Sequence, residues 1–282
     1  MTTTEADLTW LRTWIERTCA NRLGPEKNYL IKTRLSPVVR QFELKDLGAL
    51  IAQLKRSSRG QIADAVVDAV TTNETSFFRD VSFFRALEDK IIPHLIEGKR
   101  AEQSLGIWSA ASSTGQEIYS VAMLLRDRFP ELMGWEVKLY ASDISPQAIF
   151  RAKEGIYSPL EVGRGLPRTL KSQFLRPVAG GGFQVDQRVR DMVEFHRVNL
   201  DHAWPPFGKL DLIMVRNVLI YFEDDIRKRV LERASRQLTP TGLLVLGAQE
   251  RPPDSARLTR NEEFGYPTFR GLSLLDALGG RR

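Results

Sequence analysis

The first part of the chain carries apolar residues at intervals of three and four, the spacing of one helical face. Leu8, Leu11, Trp14, Ile15 and Thr18 form one stripe; Tyr29, Leu30, Leu35, Val38 and Val39 a second; Leu44, Leu47, Leu50, Ile51 and Leu54 a third; Ile62, Ala65, Val66, Ala69 and Val70 a fourth. Breaks fall at Gly24-Pro25, Ser36-Pro37 and Ser57-Ser58-Arg59-Gly60, although Ser36-Pro37 can also open a helix, because proline is tolerated in a first turn. Residues 5–70 are therefore predicted to be all helical.

The texture changes at Thr71. Thr71, Thr72, Asn73, Glu74, Thr75 and Ser76 have side chains that bond locally to backbone, so a loop is expected there, after which Phe77, Phe78, Phe83, Phe84, Leu87 and Ile91 restart a helix. Paired phenylalanines at this spacing are expected in a core. From Leu105 the chain reads LGIWSAASSTGQEIYSVAMLL: an apolar strand, a tight turn through Ser112 to Gly115, and a helix marked by Ile118, Val121, Ala122 and Leu125. Such a turn is expected to aim free backbone N–H groups beyond the strand end. EVKLYA (Glu136 to Ala141) alternates as a second strand, leads to Asp143, and is followed by a helix from about Pro146 to Glu154. An acidic residue at that strand end commonly holds ribose hydroxyls, and it also suits a helix N-cap.

Residues 155–198 break the alternation of strand and helix, and turn signals beside FQV and MVEFHRV predict a small antiparallel insertion. LDLIMV from Leu210 reads as a buried strand, EDDIRKRVLERASRQL as an amphipathic helix ended by Thr239-Pro240-Thr241-Gly242, and LLVLGA as another apolar strand. The pattern is β-α-β with a parallel core sheet.

Composition narrows the chemistry. The 282 residues are 42% apolar, enough to fill a substantial core, and no apolar run is long enough for a membrane span. The N-terminus lacks the basic-then-apolar order of a secretory signal, so a cytoplasmic protein is expected. One cysteine, Cys19, and the histidines His94, His196 and His202 give little support to disulfides, a metal site or a Cys/His dyad. The net charge of +6 favours an acidic partner. Between Arg12 and Arg59 eleven Lys/Arg face only Glu16, Glu26, Glu43 and Asp46, an excess larger than that of the whole chain.

Taken together, these pieces resemble the chemotaxis receptor glutamate O-methyltransferase (CheR) family. TTNETSFFRD resembles its segment before the catalytic domain, WSAASSTGQEIYS its cofactor loop, ASDIS its acidic position, VNLD and VRNVLIYF its later motifs, and YSPLEVGRGLP the entry to its β-subdomain. The resemblance runs from about Thr71 to Gly247; beyond, AQERPP stands where the family commonly has a His-Ser-Glu-Ser-like run, and no role is carried over there.

The resemblance implies a Rossmann-like S-adenosylmethionine-dependent methyltransferase domain over residues 73–282, with a β-subdomain at about 157–192, preceded by a helical receptor-recognition domain over 1–72. It implies methyl-ester formation on glutamates of the cytoplasmic helices of chemoreceptors, with S-adenosylhomocysteine as product. The family's cofactor positions fall on Asn73, Thr75, Arg79, Glu117, Asp143, Asn199, Leu200, Asn217 and Val218. Asp143 would accept from both ribose hydroxyls and Glu117 would pair with the cofactor's ammonium group. Arg79 and Tyr221 are the groups expected to orient the acceptor carboxylate, with the Arg79 guanidinium facing either that carboxylate or the cofactor's own, and Lys32, Arg34 and Arg40 are expected to face the receptor. Two other readings fit the basic charge or the altered AQERPP segment: an RNA methyltransferase, and a cofactor-binding signalling module without turnover. The first commonly wants an acidic or Asn-Pro-Pro-aromatic element where this chain has Arg216-Asn217-Val218. Intact Arg79, Asp143 and Tyr221 speak against the second.

Overall fold

The computed structural model describes residues 3–20, 24–256 and 258–271. Its first layer is a helical bundle of α1 (Glu5–Cys19), α2 (Asn28–Gln41), α3 (Leu47–Arg56) and α4 (Gln61–Val70). The N-termini are fixed by short polar side chains: Thr4 and Asp7 form a reciprocal capping box on α1, and the Asp46 carboxylate accepts from the Ala49 N–H on α3. The apolar stripes converge on Leu11, Ile15, Ile31, Leu35, Leu50, Ile51, Leu54, Val66 and Val70, each no more than 1% exposed.

Two expectations fail here. Pro37 neither ends nor begins a helix but lies inside α2. Proline removes one N–H from the ladder, and here it sits on the exposed face, where water can reach the carbonyl left over, while the neighbouring Ser36 hydroxyl donates to the Lys32 carbonyl at 2.7 Å. Tyr29, assigned to the buried stripe, is 65% exposed, and Ile31 takes the core position instead.

After the bundle come α5 (Val81–Ala86), one π-helical turn (Leu87–Ile91) and α6 (Ile92–Gly98). Phe77 and Phe78 lie in the turn before α5, whose N-cap is Asp80; Phe77, Phe83 and Phe84 are buried, as expected of the aromatic pairs. Next follow β1 (Ser104–Ala110), α7 (Gln116–Arg128), β2 (Glu136–Asp143) and α8 (Pro146–Glu154). A small sheet of β3 (Ile156–Tyr157), β4 (Leu175–Pro177) and β5 (Phe183–Val185), in the antiparallel order β3-β5-β4, is interleaved with α9 (Pro159–Gly163), α10 (Arg168–Phe174) and α11 (Gln187–Arg190). The chain returns with β6 (Val193–Arg197), β7 (Leu210–Val215), α12 (Asp224–Gln237), β8 (Leu238–Leu246), β9 (Leu258–Arg260) and β10 (Thr268–Gly271).

The main sheet has seven strands in the order β6-β2-β1-β7-β8-β10-β9. The first five are mutually parallel, and β10 runs antiparallel to both its neighbours, so the sheet is mixed rather than purely parallel. MVEFHRV, grouped with the antiparallel insertion on its alternation, is instead the parallel strand β6 beside β2. Thr239 to Gly242 do not end α12 but continue as β8, crossing a register irregularity between Leu210 and Leu212 of β7. All six residues of β7 are buried, as a strand covered on both faces requires. Because β1 is flanked by β2 on one side and β7 on the other, the chain order reverses there, and a crevice opens beyond the carboxyl ends of these strands.

Candidate functional site

The loops leaving β1, β2 and β7 build that crevice together with the segment joining the bundle to α5. It is a cleft lined by Thr71 to Thr75, Arg79, Ala111 to Ser113, Glu117, Asp143, Val198 to Leu200, Arg216 to Val218, Tyr221, Phe222 and Cys19. All ten residues singled out for cofactor or catalytic roles, Asn73, Thr75, Arg79, Glu117, Asp143, Asn199, Leu200, Asn217, Val218 and Tyr221, line it.

Asp143 ends β2 with its carboxylate against the β1 loop: Oδ2 accepts from the Ser113 N–H at 2.8 Å and Oδ1 from the Ser145 N–H at 2.9 Å. The helix cap is Ser145, whose hydroxyl accepts from the Ala148 N–H, so Asp143 does not cap α8. Burial raises the Asp143 carboxyl above its ordinary value, and the backbone N–H groups of Ser145, Ser113 and Ile144 only partly oppose this. A carboxylate has about four lone-pair sites, so two hydroxyl donors still fit. The β1 turn is less open than expected: the N–H of Ser112 donates to Ser142, that of Ser113 to Asp143, and that of Gly115 to Ser112. Ala111, Ser113 and Gly115 all take positive φ, and a side chain at Gly115 would press on Ala152, Tyr119 and Tyr157.

Glu117, in the first turn of α7, accepts from the Ser109 hydroxyl at 2.8 Å through Oε1 and from Arg216 Nη1 at 2.5 Å through Oε2. Arg79 donates through Nη1 to the Glu74 carbonyl at 2.8 Å, which leaves the rest of its guanidinium fork uncommitted to that loop. Asn73 accepts from the Ser113 hydroxyl through its carbonyl, so the bundle-to-α5 segment is fastened directly to the β1 loop. Asn199 fastens the other wall: its Nδ2 donates to the Thr18 carbonyl at the end of α1. Cys19, beside it, is a wall rather than a nucleophile, since burial pushes its thiol up to about 12.

Two residues that frame this cleft escape the sequence reading. Glu250, 3% exposed, accepts from the N–H groups of Asn217 and Gly247 on Oε2 and of Val218 and Leu219 on Oε1, at 2.7 to 2.9 Å. It holds Asn217 at φ 59 and so shapes the turn after β7. Arg216, 4% exposed, lies under the cleft and binds Glu117. An arginine following a mostly apolar strand, with a glutamate at the start of a neighbouring helix, was the available signal for the second; for the first it was the glutamate that AQERPP keeps at the third position of the family's His-Ser-Glu-Ser-like run.

The three basic residues of α2 are placed differently. Lys32 and Arg40 are exposed, eight positions apart on one side of the helix, around a depression with Ser36, Val39 and Asp46. Arg34 points elsewhere: its guanidinium donates to the Val70 carbonyl at 2.8 Å and reaches Thr72 at 3.5 Å, beside Tyr221. Among the described residues no His/Cys/Asp/Glu cluster suits a metal, and no helix is long and apolar enough to cross a membrane.

Residues 73–264 match the family described as CheR methyltransferase, SAM binding domain, and residues 6–71 match CheR methyltransferase, all-alpha domain. The chain is 37% identical over 254 residues to the chemotaxis protein methyltransferase Cher2 of Pseudomonas putida, covering 89% of this chain and 92% of that protein. It is 39% identical over 240 residues to a chemotaxis protein methyltransferase of Vibrio parahaemolyticus (84% and 86%), and 37% identical over 254 residues to chemotaxis protein methyltransferase 1 of Pseudomonas aeruginosa (89% and 92%).

Proposed function

Because the chain belongs to the CheR methyltransferase family, whose SAM binding domain supplies the cofactor cleft, we propose that it esterifies glutamate side chains on the cytoplasmic helices of chemoreceptors. The observation that carries this reading is the position of Tyr221. It lines the cofactor cleft and is 37% exposed where the cleft meets two surface depressions, one with Lys27, Leu30, Arg34 and Thr72, the other with Pro25, Glu26, Ile220 and Glu223. An acceptor on an extended partner therefore has a route to the cleft beside a tyrosine hydroxyl and two cations.

When bound, S-adenosylmethionine supplies a methyl group activated on a sulfonium sulfur. The chain's residues have modest chemistry left to perform. A glutamate with an intrinsic pKa of about 4.3 is already ionised at neutral pH, so no general base is required, and none of the three histidines lines the cleft. The task is alignment, which in favourable cases supplies roughly 7–11 kcal/mol. Asp143 would hold the ribose hydroxyls, Glu117 the ammonium group, and Asn199 and Asn217 the flanking polar atoms. Arg79 and Tyr221 would orient the acceptor carboxylate, Arg79 by its planar fork and Tyr221 by a single O–H. Attack of an anion on a cation removes charge from the site, so an enclosed cleft does not oppose it.

Incubation with methyl-labelled cofactor and receptor-bearing membranes tests the reading. Label on receptor protein that mild alkali releases as methanol is the expected result. Alkali-stable label, or label on nucleic acid, would overturn it.

A further inference from the structure

Arg216 is a full positive charge beneath the cofactor cleft, its side chain only 1% exposed. Its guanidinium carbon lies 3.9 Å from the centre of the Phe83 ring. Nη1 donates to Glu117 at 2.5 Å; Nη2 faces the Tyr266 hydroxyl at 3.3 Å, Asp80 Oδ2 at 3.4 Å and the Arg79 carbonyl at 3.4 Å. The Tyr266 hydroxyl in turn donates to Asp80 Oδ2 at 2.6 Å. Nε is buried without a partner among the described residues. The fork thus spans two separate parts of the cleft, the first turn of α7 and the turn before α5 where Asp80 takes φ 73.

The charges do not cancel. Glu117 and Asp80 contribute two negative charges against one positive, and Tyr266 stays neutral at physiological pH, its hydroxyl pushed up to about 12 chiefly by burial. Within this buried cluster the carboxylates outnumber the guanidinium by one, and the Arg79 cation lines the same cleft.

We propose that Arg216 is a positioning residue for the amino-acid end of the cofactor: its guanidinium fork fixes the Glu117 carboxylate as an ammonium acceptor and, through the Arg79 carbonyl, sets the Arg79 side chain beside it. The inference rests on the S-adenosylmethionine reading of the cleft but not on the identity of the methyl acceptor. Lysine at this position keeps the charge and loses the fork, so Arg216→Lys separates geometry from electrostatics. Stacking on Phe83 explains why a planar cation is used in a site this dry.

The test compares two ligands by calorimetry on the full chain: S-adenosylhomocysteine, and 5′-methylthioadenosine, which has the nucleoside and sulfur but no amino-acid tail. Arg216→Lys is expected to lose at least tenfold in affinity for the first and no more than about twofold for the second. Equal losses for both would mean general damage to the cleft, and unchanged S-adenosylhomocysteine binding would mean that the fork positions nothing; either overturns the proposal. Should Arg216→Lys not fold, Tyr266→Phe withdraws one partner from Nη2 and is expected to give the same selective loss on a smaller scale, with a non-selective loss or no loss counting against it. Wild-type protein that binds neither ligand would instead refute the cofactor reading itself.

Discussion

Glu250→Gln changes almost no volume, and side-chain packing alone would call it silent. The hydrogen bonds say otherwise. Each carboxylate oxygen of Glu250 accepts two backbone N–H groups, from Asn217 and Gly247 on one and Val218 and Leu219 on the other. Glutamine retains one oxygen and must point an amide N–H2 at two other donors. Two charge-assisted bonds at about 1.5–3 kcal/mol each are lost, so roughly 3–6 kcal/mol is at stake before any repulsion between facing donors. Retreat is restricted, since Glu250 is 3% exposed and the space at Gly247 is already tight: a Cβ there would lie 2.6 Å from Oε2. Urea unfolding should show a loss of this order if the turn after β7 unfolds with the domain. If the turn loosens alone, the deficit should appear as weaker S-adenosylhomocysteine binding, because Asn217 and Val218 line the cleft. Stability within 1 kcal/mol of wild type together with unchanged product affinity would refute the argument.

Three further outcomes are expected. Burial raises the Asp143 carboxyl above 3.8, and its ionised form, which accepts on both oxygens and carries the charge, would be the stronger acceptor for two ribose hydroxyls, so cofactor affinity should rise with pH through the raised value and then level off; Asp143→Asn should remove that inflection, and calorimetry across pH decides. Its stability contribution runs the opposite way: between the unfolded and folded values the folded state binds the extra proton, so stability falls as pH rises there, and the asparagine variant should lack this slope in urea titrations. Arg79→Ala should cost more in turnover than in product binding; equal losses would leave Arg79 as an anchor only. Lys32→Glu or Arg40→Glu should raise the KM for receptor and flatten its salt dependence without altering cofactor affinity, and receptor kinetics unchanged across ionic strength would return these side chains to the solvent.

Legibility followed the range of the interactions. Helical stripes and the buried β7 could be read because burial on one face or two leaves a periodic trace. Pro37 could not, since whether a proline breaks a helix depends on which face meets water. The β6 segment alternates like any half-buried strand, and alternation is silent about whether its partner is β5 or β2. In the cleft, the residues belonging to motifs were legible and those serving the backbone were not. Glu250 recognises four backbone N–H groups, which every residue type but proline carries. Arg216 was visible as a charge after an apolar strand, but its partners Asp80 and Tyr266 stand 136 and 50 residues away.

The fastening of the helical bundle bears on how such a protein can be divided. Thr71 and Thr72 line the cofactor cleft, as does Cys19 at the end of α1. Ser145 donates to Asp68 at 2.5 Å, Arg197 meets Asp64 at 2.6 Å, and Asn199 holds the Thr18 carbonyl. The two family matches meet between residues 71 and 73, a seam in ancestry that cuts across a wall of the binding site. A fragment beginning at that seam would keep every strand of the sheet and lose the ground on which Asn199 and Ser145 stand. The helical bundle is thus also part of the wall of the cleft, so a partner docking on its outer surface would press on a structure whose inner surface lines that cleft.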